Sequence, residues 1–79
     1  MKKKSEDYSQ QYFGGNMRKR RVELNISQEE LSFRAGLHRN YVSDVERGTR
    51  NVSIKAMEKI AKGLDTSLYK LLKPANKTD

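Results

Sequence analysis

A chain of 79 residues, with 34% hydrophobic and 34% charged side chains, suits one small helical domain with a thin core and leaves no room for a large enclosed active site. It has no cysteine and a single histidine, His38, which excludes a disulfide framework, a thiolate zinc site and a metal held by histidines. The formal charge of +7 favours a polyanionic partner, whether nucleic acid, a membrane surface or an acidic protein, and charge alone does not choose among them.

Residues 1–11 are polar and open with Lys2, Lys3 and Lys4. They read as a basic arm, either solvated or laid along phosphates. From Phe13 to Leu24, apolar Phe13, Met17 and Leu24 recur at helical intervals. Gly14 and Gly15 weaken the front of this first helix by about 1 kcal/mol each relative to alanine, so it is expected to hold only after Gly15. Arg20 falls on the apolar stripe, which predicts a stem along the core surface and a head in water.

The stretch NISQEEL carries the strongest local signal: Ser27 as N-cap, Glu30 closing a capping box, and Ile26 with Leu31 as a hydrophobic staple. The second helix is short, because Gly36 suits the left-handed turn that ends it. A third helix is expected from about Arg39 to Arg47, stopped by Gly48. Ser53 caps a fourth, whose Ile54, Met57, Ile60, Ala61 and Leu64 keep a period of about 3.6 and form core scaffold until Gly63 and Asp65 break it. Ser67 caps a last short helix with Leu68, Leu71 and Leu72. Pro74 then closes the ordered region, leaving 74–79 as a loose tail.

On a wheel of about 100° per residue, Leu37, Tyr41, Val42 and Val45 share one arc of the third helix and face the core. The opposite arc gathers Arg39, Asn40, Ser43 and Arg47. Arginine pairs bidentately with guanine O6 and N7, and asparagine with adenine N6 and N7, and a major groove about 12 Å wide admits one helix. Arg39 and Asn40 stand at the front of the helix as base-reading candidates, with Ser43 in support and Arg47 reaching phosphate. Gln28 lies at the second helix's N-terminus, where free amides and the macrodipole favour a phosphate. An exposed polar face on a short helix is ordinary by itself. Here it follows a capped helix and a glycine turn in a strongly basic chain.

Asp44, at the edge of that face, repels phosphates unless an arginine pairs with it or it accepts from cytosine N4, and pairing is the favoured reading. Glu46 falls between the core arc and the polar face and requires a cationic partner, for which Arg21 is the candidate. Tyr41 places its ring in the core, with a hydroxyl able to touch a phosphate. His38 starts the helix or contacts the backbone of a partner.

The stretch from Phe13 to Leu72 resembles the phage repressor-like helix-turn-helix family, with Gln28, Leu31, Gly36, Val42, Ser43, Glu46 and Gly48 at its spacing. Within that family, FRAGLHRNYVSDVERGTRNVS is similar to the controller proteins of restriction-modification systems. Ser32 and Val52 depart from the usual residues at their positions without disturbing the pattern. The resemblance implies an all-α, five-helix, lambda-repressor-like DNA-binding domain over 12–73, with its helix-turn-helix at 28–47, acting as a symmetric homodimer on double-stranded, palindromic operator DNA. It implies base reading by Arg39 and Asn40, a phosphate at Gln28, and a buried Arg21–Glu46 pair. It adds Arg50 and Asn51 as base and phosphate contacts, and Leu68, Tyr69 and Leu72 as the dimer interface.

The expected function is a transcriptional regulator that controls its own gene and an endonuclease gene. A phage-type repressor and an antitoxin that neutralises a partner protein are the rivals. No nucleophile–base pair, acidic metal cluster or phosphate-cradling glycine loop is present to suggest an enzyme, and no cofactor or small-molecule ligand is expected. No apolar run has the length of a membrane span or a signal peptide, so a cytoplasmic protein without membrane contact is expected.

Overall fold

The computed structural model describes residues 9–74. Five helices follow one another: α1 (Ser9–Glu23), α2 (Gln28–Ala35), α3 (Arg39–Arg47), α4 (Ile54–Gly63) and α5 (Leu68–Leu72). Among the described residues there is no strand, so the all-α expectation holds. The lysines at 2–4 and the tail from residue 75 lie outside the described residues.

The first helix begins at Ser9, earlier than its residues suggested, and runs straight through Gly14 and Gly15. Gly14 is there because α1 crosses the end of α3 at backbone contact. A Cβ on Gly14 would press on the Val45 carbonyl oxygen and stand 2.7 Å from that of Glu46. The helical cost of glycine, about 1 kcal/mol, is offset by the approach it permits, which seals Phe13 and Met17 completely. These two pack with Leu31, Val42, Val45, Ile60 and Leu64, all fully buried, to form the core.

Each turn is closed by local chemistry. Asn25 takes a left-handed φ of 59° between α1 and α2, a conformation asparagine tolerates better than most residues. The Ser27 hydroxyl accepts from the Glu30 amide at 2.9 Å. Only this half of the expected capping box forms, since the Glu30 carboxylate turns to Arg34 at 3.1 Å. Gly36, at φ 69°, ends α2, and the Leu37 amide returns to the Ser32 carbonyl at 3.0 Å. Ser32 is itself buried, and its hydroxyl donates to the Glu29 carbonyl at 2.7 Å, so its burial leaves no orphaned polar group.

Three expectations are corrected. Arg20 keeps about a third of its side chain exposed (32%), but its head is not left to water alone: Nε donates to the Leu64 carbonyl at 2.9 Å and Nη2 to that of Asp65 at 3.1 Å. It thereby satisfies the carbonyl end of α4, which lacks intrahelical donors. Ile54 is exposed rather than core; at the first position of α4 it points away from the bundle, and Ala56 takes the inward place. Gly63 does not break α4 but is its buried last residue, where a Cβ would meet Leu31 Cδ1 at 3.2 Å. The chain instead turns at Asp65, with φ 56°. Asn16 does for α5 what Arg20 does for α4, donating to the carbonyls of Leu71, at 2.9 Å, and Lys73.

The two glycines of α1 give opposed expectations. Gly14→Ala is expected to destabilise by ~1–3 kcal/mol through overpacking. Gly15→Ala, whose Cβ meets nothing within 4 Å, is expected to stabilise by ~0.5–1 kcal/mol. Urea denaturation of the two variants measures both, and equal shifts would refute the close crossing of α1 and α3.

Candidate nucleic-acid interface

The helix α3 is held by Val42 and Val45, both buried, with Leu37 and Tyr41 half-buried beside them. Its other side is left to solvent: Arg39, Asn40 and Arg47 are exposed and Ser43 is half-exposed. The two arcs fall where the wheel put them. His38 takes the N-cap position, but its side chain makes no capping bond. Gly48, at φ 73°, ends the helix.

What fixes α3 is one buried cluster. Glu46 Oε2 accepts from Arg21 Nε at 2.6 Å, and Oε1 accepts from Arg21 Nη2 at 3.1 Å and from Gln28 Nε2 at 3.0 Å. The two charged side chains retain 13% and 3% of their exposure. Arg21 Nη1 also donates to the Ile26 carbonyl at 2.9 Å, tying the α1–α2 turn into the same group. The Arg21–Glu46 pair is as expected. The Gln28 bond was not legible in the sequence, because a residue at the start of α2 gives no sign that it faces the end of α3. Its amide is thus partly committed inside the protein, while α2's first amides remain near the surface.

Asp44 pairs with arginine as favoured, and with two of them: Arg47 Nη2 at 2.5 Å and Arg50 Nε at 3.6 Å. Arg47 Nη1 also donates to Ser43 Oγ at 2.9 Å. Arg50 lies over the Tyr41 ring, its Cζ 4.8 Å from the centroid, so Tyr41 is a platform for a cation as well as part of the core. A helical wheel cannot show this contact, since Gly48 reverses the chain between the two residues. Asn51 is exposed next to Arg50. Among the described residues, Arg39 has no ion pair.

A cleft of about 620 Å³ opens beside this face, between the start of α3 and the start of α4, lined among others by His38, Asn40, Tyr41, Arg50, Lys55 and Lys59. Lys55 and Lys59 were missed in the sequence. Their spacing of four residues puts them on one side of α4, behind the Ser53 cap, and that was the available signal. The face therefore combines amide, hydroxyl and guanidinium donors at its centre with cations at its rim. It offers two means of recognition, edge-on hydrogen bonding and charge.

Elsewhere, α5 leaves Tyr69 at 70% exposure and Leu72 exposed, with Lys73 Nζ 5.7 Å from the Tyr69 ring centre. Leu68 is half-buried against the domain's own core. Among the described residues, no group of acidic, histidine or cysteine side chains is placed to hold a metal, and no helix is long and apolar enough to cross a membrane.

A capped two-turn helix, a left-handed glycine turn and a second helix with an exposed donor face define a helix-turn-helix transcription-regulator domain. The chain belongs to the Helix-turn-helix family, whose model matches residues 17–71, and within it is similar to the controller proteins of restriction-modification systems. It is 51% identical over 61 residues to control protein C.BamHI of Bacillus amyloliquefaciens, covering 76% of this chain and 75% of that protein. The crystal structure of controller protein C.AhdI from Aeromonas hydrophila matches with a TM-score of 0.78 and 42% identity, over 82% of this chain and 98% of that one. The C.Esp1396I controller tetramer in complex with its natural 35 base-pair operator matches with a TM-score of 0.74 and 33% identity, over 86% of this chain and all of that one (100%).

The buried cluster gives a direct test. Glu46→Ala leaves the Arg21 guanidinium buried without its counter-charge and is expected to cost ~3–5 kcal/mol, whereas replacing both Arg21 and Glu46 by methionine is expected to cost much less. Chemical denaturation of the single and double variants distinguishes these; a single-variant loss below ~1 kcal/mol, the level of a surface pair, would show that the cluster does not hold α3.

Proposed function

We propose that this chain is the controller of a restriction-modification system: a homodimer that binds a palindromic operator, governs its own gene and sets the expression of the endonuclease gene. The observation that carries the reading is the state of Arg39 and Asn40. Both are exposed at the first turn of a helix clamped from behind, and Arg39 has no competing ion pair among the described residues. The fold in which they stand matches that of a controller whose crystal structure holds its operator.

In this mechanism α3 of each subunit enters a major groove, and the two half-sites lie about one helical turn, ~34 Å, apart. Arg39 and Asn40 read base edges, supported by Ser43 and Arg50. Arg47, Asn51, the Tyr41 hydroxyl and the start of α2 at Gln28 engage phosphates, and Lys55 and Lys59 extend that contact along the backbone. The lysines at 2–4 lengthen the phosphate footprint. Tyr69 and Leu72 on α5 supply the apolar part of the dimer contact, with Leu68 beneath them. Position of the bound dimer relative to a promoter then decides whether transcription rises or falls.

Two variants test separate parts of the proposal. Arg39→Ala is expected to keep the native melting temperature and to weaken binding to DNA from upstream of its own gene by ~5- to 150-fold, the worth of one bidentate base contact. Affinity and selectivity unchanged in a gel-shift titration would remove Arg39 as a base reader. Tyr69→Asp combined with Leu72→Asp is expected to lower the sedimenting mass from twice the 9.2 kDa chain mass to that of one chain. A wild-type mass of one chain at micromolar concentration would contradict the dimer.

A further inference from the structure

Among the residues of α3, Asp44 is the one carboxylate that shares the outward side with Arg39, Asn40, Ser43 and Arg47. An anion at the edge of a surface meant for phosphates opposes binding by simple Coulomb repulsion. Yet every acceptor on this residue is engaged. Oδ1 holds Arg47 at 2.5 Å and Oδ2 holds Arg50 at 3.6 Å. Its main-chain carbonyl accepts from the Thr49 amide at 3.1 Å and from Thr49 Oγ1 at 3.2 Å. Asp44 thus ties the whole turn after α3 back onto the helix, and with it the cation that lies over Tyr41.

The two arginines depend on Asp44 unequally. Arg47 keeps its bond to Ser43 Oγ, at 2.9 Å, without the carboxylate. Arg50 sits beyond the Gly48 turn, and among the described residues its other contact is the Tyr41 ring. The front of α3, at Arg39, therefore has its guanidinium free, while the cation behind the turn is held by an internal counter-ion.

We infer that Asp44 determines specificity by acting on Arg50: its carboxylate subtracts from attraction to any phosphate backbone and at the same time orders Arg50 for the correct site. Affinity for arbitrary DNA comes from cations neutralising phosphates, and an arginine already paired with a carboxylate contributes less to it. At a matching site the same pairing is an advantage, because a side chain ordered beforehand loses less freedom on binding. Asp44 is a positioning residue that widens the gap between operator and non-operator affinity.

This inference rests on the operator-binding reading above and is tested by Asp44→Asn in a wild-type and in an Arg50→Ala background. The probes are a duplex from upstream of the protein's own gene and a scrambled duplex of the same composition, titrated over a range of salt concentrations. Removing one negative charge is expected to raise affinity for the scrambled duplex about three- to tenfold and to steepen its log–log salt slope by up to ~0.9. Affinity for the upstream duplex is expected to rise less, so that the ratio falls at least ~threefold. In the Arg50→Ala background Asp44→Asn is expected to leave the ratio unchanged. An undiminished ratio in the first background, or an equal fall in the second, overturns the inference. Wild-type protein that does not prefer the upstream duplex overturns the operator-binding reading itself, and the inference with it. Thermal melts of each variant separate these outcomes from loss of fold.

Discussion

Glu46 is a carboxylate at 3% exposure at the end of a short helix, and the structure depends on how its charge is met. Removing an ion from water costs several kcal/mol, and attraction to one partner rarely repays it unless the remaining lone pairs are also satisfied. Here Arg21 grips both oxygens and Gln28 adds a third donor. These three residues come from α1, the start of α2 and the end of α3, so the charge can be satisfied in one relative placement of three helices. A hydrophobic cluster tolerates small slides and rotations; a bidentate guanidinium–carboxylate pair with a third donor does not. The core supplies affinity between the helices, and the ion cluster supplies their registration.

Registration matters for the proposed DNA contact because its base-reading candidates, Arg39 and Asn40, occupy only the first turn of α3. On the proposed reading Arg39 and Asn40 must meet base edges with hydrogen-bond precision inside a groove about 8.5 Å deep, and an ångström of slack in the helix would spoil that geometry. The close crossing at Gly14 acts in the same direction, pressing α1 against the carbonyls of Val45 and Glu46. Arg20 and Asn16 extend this logic to the remaining helices by closing the carbonyl ends of α4 and α5. One side of α1 is thus a row of polar clamps, and its buried side is Phe13 and Met17. The surface of α3 can then be graded, with a free guanidinium at its front and cations tied to Asp44 behind.

Much of this was legible in the sequence, for physical reasons that differ by element. Ser27, Ser53 and Ser67 announce helix starts through short-range bonds that need no tertiary context, and each makes its cap. Gly36 and Gly48 mark turns because positive φ is a local demand. The arcs of α3 follow from its period alone. What stayed hidden depends on who crosses whom. Gly14 and Gly63 look like defects until a neighbouring helix is placed on them. Arg20 looks misplaced on an apolar stripe until the carbonyl end of α4 arrives beside it. The Gln28–Glu46 bond and the Arg50–Tyr41 stack join residues whose approach is set by a turn, and spacing cannot report such a contact. Lys55 and Lys59 were visible as charges but not as part of the rim.

On the proposed reading, the Arg21–Glu46–Gln28 cluster already holds α3 in the free protein in the placement it takes on DNA. A crystal structure of the protein with a duplex from its own upstream region would decide this. The expected result is α3 in the major groove, Arg39 and Asn40 at hydrogen-bonding distance, ~2.7–3.2 Å, from base edges, and the three-residue cluster unchanged. A complex in which α3 lies away from the groove, or in which Glu46 has left Arg21 to let the helix move, would contradict it.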